Sequence, residues 1–82
     1  MINVQTQSRL ARQTILEKAV RYFGPEGLDL EVAEQSECSA RFKGRGGFVS
    51  IALEFQVASK RTHVTAISRT FGPQMHAFIG TL

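Results

Sequence analysis

A two-layer α+β fold, with both helices on one face of an antiparallel meander, is what this sequence of 82 residues predicts. Three observations lead there. Residues 8–23 carry apolar side chains on one half of a helical wheel and then meet Gly24-Pro25. Four segments between 28 and 71 alternate apolar and polar residues, with short connections. After Gly72-Pro73, Met75, Phe78, Ile79 and Leu82 follow an i, i+3, i+4, i+7 spacing, a second helical stripe. The whole chain reads as one domain, 1–82, with a sheet of four strands, or five if Ile2-Asn3-Val4-Gln5 adds a short edge strand.

In the first helix, Ala11, Ile15, Leu16, Ala19, Val20, Tyr22 and Phe23 form the apolar half, while Arg9, Gln13, Glu17, Lys18 and Arg21 lie on or near the other. Thr6 or Ser8 is placed to cap it, because a hydroxyl accepts from unpaired backbone N–H groups. Gly24 suits a left-handed residue after the helix, and Pro25 cannot continue it. Arg12 falls inside the apolar arc, so it snorkels past the helix edge or pairs with a carboxylate such as Glu54.

The strands follow. Leu28, Leu30 and Val32 alternate with acids, and Cys38, Ala40 and Phe42 alternate with Ser39, Arg41 and Lys43. Val49, Ile51, Leu53, Phe55 and Val57 make the cleanest period-two run. In Thr62 to Phe71, Val64 and Ala66 compete with Ile67 for the inward face, a conflict that a bulge resolves. Phe-Gly-Pro occurs at 23–25 and 71–73 with unlike flanks, and reads as punctuation.

Hydrophobic matching proposes a register. Facing Leu30 with Phe42 and Val32 with Ala40 sets Asp29 against Lys43 and Glu31 against Arg41 on the other side. Each such pair contributes roughly 0.2–1 kcal/mol. The same matching sets Phe42 against Val49 and puts the turn in Gly44-Arg45-Gly46-Gly47. A phosphate-binding glycine loop leads from a strand into a helix, whereas this one leads into a strand. A hairpin turn is therefore expected.

Function is far less legible. The chain has a net charge of +3, 43% hydrophobic and 21% charged residues, ordinary for a globular domain. No apolar run reaches membrane-spanning length, the first residues lack the apolar core of a secretory signal, and a single cysteine allows no internal disulfide. A cytoplasmic protein without a membrane role is the expectation. His63, His76 and Cys38 show no metal-ligand spacing, Cys38 is placed on the core side with Phe42, and no third group orients a Cys–His pair. No enzyme activity, metal or cofactor is expected.

If Val49, Ile51 and Leu53 point to the helices, Phe48 points away, and Ile67 and Phe71 join it as a candidate interaction surface. The leading expectation is thus a non-enzymatic binding or assembly module, a homodimer or protein-binding domain using the Phe48/Phe71 face or an edge strand. The alternatives are a nucleic-acid-binding domain using Arg41, Lys43, Arg45, Lys60, Arg61 and Arg69, and a small-ligand carrier with a cavity between sheet and final helix.

The order formed by Ile2–Val4, the 8–23 helix, the 28–71 meander and 73–82 resembles the β-α-β-β-β-β-α arrangement of TBP-like and helix-grip domains. That resemblance lies in topology and covers the whole chain. It implies ligand, protein or nucleic-acid binding in a curved sheet. In helix-grip proteins a long final helix closes a cavity, whereas residues 73–82 allow about three turns at most.

Overall fold

The computed structural model describes residues 1–82 and arranges them as β1 (Ile2–Ser8), α1 (Arg12–Phe23), β2 (Glu31–Gln35), β3 (Ser39–Gly44), β4 (Gly47–Gln56), β5 (Arg61–Arg69) and α2 (Gly72–Ile79). All five strands form one antiparallel sheet in the order β1-β5-β4-β3-β2. Both helices lie on one face, as expected. The first strand is longer than Ile2–Gln5. It runs through Ser8, which is therefore not a helix cap: α1 starts four residues later, at Arg12, with no side-chain cap at Ala11. Ser8 is buried instead, and its hydroxyl accepts from Leu10 N–H (3.1 Å) and donates to the Leu82 carbonyl (3.2 Å).

The chain after α1 explains why residues 28–30 are not strand. Leu28 N–H donates to the Tyr22 carbonyl and Leu30 N–H to the Phe23 carbonyl, both at 3.0 Å. Those helix-end carbonyls have no partner within the helix, and the loop satisfies them. Gly24 is not left-handed (φ −74°). Glycine is required there because a Cβ would lie 2.4 Å from the Val20 carbonyl oxygen.

With Leu28 and Leu30 held by the helix end, β2 slides by two residues against the expected register. Glu31 faces Lys43 and Val32 faces Phe42; after a bulge at Ala33, Glu34 faces Arg41 and Gln35 faces Ala40. Acid still opposes base, with different partners. Cys38 is also displaced from the expected core position. It is exposed in the β2–β3 turn, which Ser36 N–H closes onto the Ser39 carbonyl at 2.8 Å.

The glycine-rich segment is a two-residue hairpin. Gly44 pairs with Gly47, Phe42 faces Val49, and the central Arg45 and Gly46 both have positive φ (51° and 80°), the type I′ signature. In β5 no bulge is needed: Thr62, Val64, Ala66 and Ser68 point inward, and Ile67 points outward. Thr70, at φ 82°, then ends the alternation. Phe71 is thereby turned into the core, only 6% exposed, rather than out beside Phe48.

The core sits between the helices and the inner sheet face. Ile15, Leu16, Ala19 and Phe23 of α1 and Met75 and Phe78 of α2 cover Phe42, Val49, Ile51, Leu53, Val64 and Ala66. Phe23 joins the layers, its ring centroid 5.5 Å from Phe42 and 5.2 Å from Phe78. The inward polar residues are satisfied locally: Thr62 donates to the Leu10 carbonyl (2.8 Å), and Ser68 accepts from Phe71 N–H (3.2 Å). Phe55 has inward parity, facing Thr62, yet it is 47% exposed.

Candidate interaction surface

The strand registers fix what the uncovered face carries. Successive cross-strand ranks read Glu31–Lys43–Phe48–Arg69, then Glu34–Arg41–Ser50–Ile67–Asn3, then Ser39–Ala52–Thr65–Gln5, then Glu54–His63–Gln7. Phe48 and Ile67 are both half-buried and are diagonal neighbours, within reach of a long side chain. Two of the three expected surface residues are thus brought together, and Phe71 belongs to the opposite layer.

The basic residues divide into two groups. Arg41, Lys43 and Arg69 flank Phe48 on the open face, and Arg45 projects from the adjoining hairpin turn. Lys60 and Arg61 lie at the other end of β4 and β5, roughly 26 Å away at 3.3 Å per residue. No single basic patch contains all six. Acids are interspersed: Lys43 Nζ is 3.5 Å from Glu31 Oε2 across exposed strands, and Glu34 stands beside Arg41. Exposed pairs of this kind contribute little stability, and Arg41, Arg45 and Arg69 beside Phe48 form no ion pair at all.

Arg12 is exposed and forms no ion pair with Glu54. His63 lies on the open face, His76 is exposed on α2, and Cys38 is in a turn, so the three do not converge. No group of three or more His, Cys, Asp or Glu side chains is arranged to hold a metal ion. No helix is long and apolar enough to cross a membrane. Met75 and Phe78 of α2 are buried in one apolar cluster with Phe23 of α1 and with Val64 and Ala66 of β5. Concavities between α1 and the Gln35–Glu37 turn, and beside Tyr22 and Leu28, are open surface grooves.

The sequence reading missed the full extent of the outer strand. Its signal was present: Ile2, Val4, Thr6 and Ser8 alternate with Asn3, Gln5 and Gln7, and of the seven only Ser8 is fully buried. No protein-family model, curated protein or solved structure matches this chain.

Proposed function

We propose that the chain is a non-enzymatic assembly module that acts by self-association, through the uncovered side of its sheet or through an edge strand. The observation that carries this reading is the half-buried Phe48–Ile67 pair on a sheet face that no helix covers. A closed homodimer is the simplest assembly. Sedimentation equilibrium of the full chain over a wide concentration range tests it. The expected species has twice the 9.1 kDa mass of one chain. A mass that stays at one chain up to millimolar concentration would refute the reading.

A second reading is favoured by the gathering of Arg41, Lys43, Arg45 and Arg69 around Phe48, since positive charge beside a stacking ring is how single-stranded nucleic acid is bound without sequence preference. It requires that a fluorescent single-stranded oligonucleotide bind at low salt and be released steeply as salt rises. Arg69→Gln and Arg45→Gln should both weaken that binding. Unchanged anisotropy at low salt ends this reading without touching the first.

A further inference from the structure

The two edges of the sheet differ in how they are guarded. Strand β2, at one edge, has five residues, carries Glu31 and Glu34, and is bulged at Ala33. Charges, short length and bulges are the devices that keep an edge from pairing with another chain. Strand β1, at the other edge, has none of them. It has seven residues, INVQTQS, with no charge, no proline and an unbroken register to β5. Beyond it the sheet has no further strand, so the outward N–H and C=O groups of β1 have no strand partner. Met1 and Ile2, two of the four most exposed large apolar residues, lie at the start of this edge.

We infer that β1 is the joint between two copies of this chain, paired antiparallel to its own counterpart so that the two sheets become one of ten strands. This inference rests on the assembly reading and names its seam. A second copy is the occupant because an antiparallel pair of identical strands is self-complementary and closes after two chains. Complete overlap of the seven residues, with inward facing inward, puts the twofold axis at Gln5. Val4 then faces Thr6 of the second copy, Ile2 faces Ser8, Asn3 faces Gln7, and Gln5 faces Gln5. No charge meets a like charge along the seam, and each facing pair of amides offers both donors and acceptors. The acid-bearing, bulged β2 has no such self-match.

The axis position gives the test. Gln5 is exposed and faces Thr65 on its own sheet, so a charge there leaves the fold in place. Gln5→Lys and Gln5→Glu should each weaken self-association by roughly tenfold or more, because like charges then face each other directly. Mixing the two variants in equal amounts should restore a dimer, read by sedimentation. Amide exchange should show β1 protection that rises with protein concentration in the wild type. If Phe48→Glu dissociates the dimer and the Gln5 mixture shows no rescue, the seam is wrong while assembly stands. A protein that is monomeric throughout overturns both.

Discussion

Replacing Phe23 by alanine is expected to lower stability by about 3–5 kcal/mol, the range for truncating a fully buried aromatic. Phe23 has no exposed surface, and its ring meets Tyr22 on the same helix, Phe42 on β3 and Phe78 on α2. Its loss therefore opens a void where helix, sheet and second helix join, and no neighbour is free to close it. A domain of this length has a total stability of about 4–12 kcal/mol, so the variant should lose about a quarter of it or more. Urea unfolding followed by circular dichroism measures this as a lower midpoint at unchanged slope. Phe55→Ala is the control: at 47% exposure it should cost only about 1–1.5 kcal/mol. Equal midpoint shifts for the two variants would contradict the core assignment.

The second large effect is expected at Gly47. A Cβ added there would lie 2.2 Å from the Arg69 carbonyl oxygen and 2.6 Å from Thr70 Cβ, so backbone has to move. At neighbouring Gly46 nothing lies within 4 Å, and only the positive φ of 80° opposes a side chain. Gly46→Ala should thus cost about 1–2 kcal/mol, the left-handed penalty. Gly47→Ala should cost more, about 3 kcal/mol or above, as overpacking against backbone. Its effect should appear as faster amide exchange around residues 44–48 and 68–71. Equal stability for the two alanine variants would mean that the β4 hairpin and the end of β5 do not approach so closely.

These glycines show where sequence reasoning is strong. The hairpin turn within Gly44–Gly47 and the Phe42–Val49 register follow from local chemistry, two glycine-flanked residues between apolar runs, and both are found as expected. The helices follow as readily from their periodicity. The β2 register fails because the deciding interactions are not periodic. Tyr22 and Phe23 carbonyls at the end of α1 take the N–H groups of Leu28 and Leu30, which alternation alone assigns to a ladder. Phe71 fails for a similar reason: one residue of positive φ, Thr70, inverts every side-chain direction that follows. The candidate surface was therefore legible at Phe48 and Ile67, which lie within regular strands, and not at Phe71, just past the end of one.

The place of β1 in the sheet also orders the folding reaction. Strands β2 to β5 are joined by short turns, so each ladder among them forms between segments already near each other. Strand β1 docks on β5 across most of the chain; Thr62 and Leu10, bonded beside that ladder, are 52 residues apart. Closing so long a loop costs about 2 kcal/mol more entropy than closing a hairpin, and contacts of this range form slowly. The meander is then expected to serve as the template, with β1 gaining amide protection last during refolding.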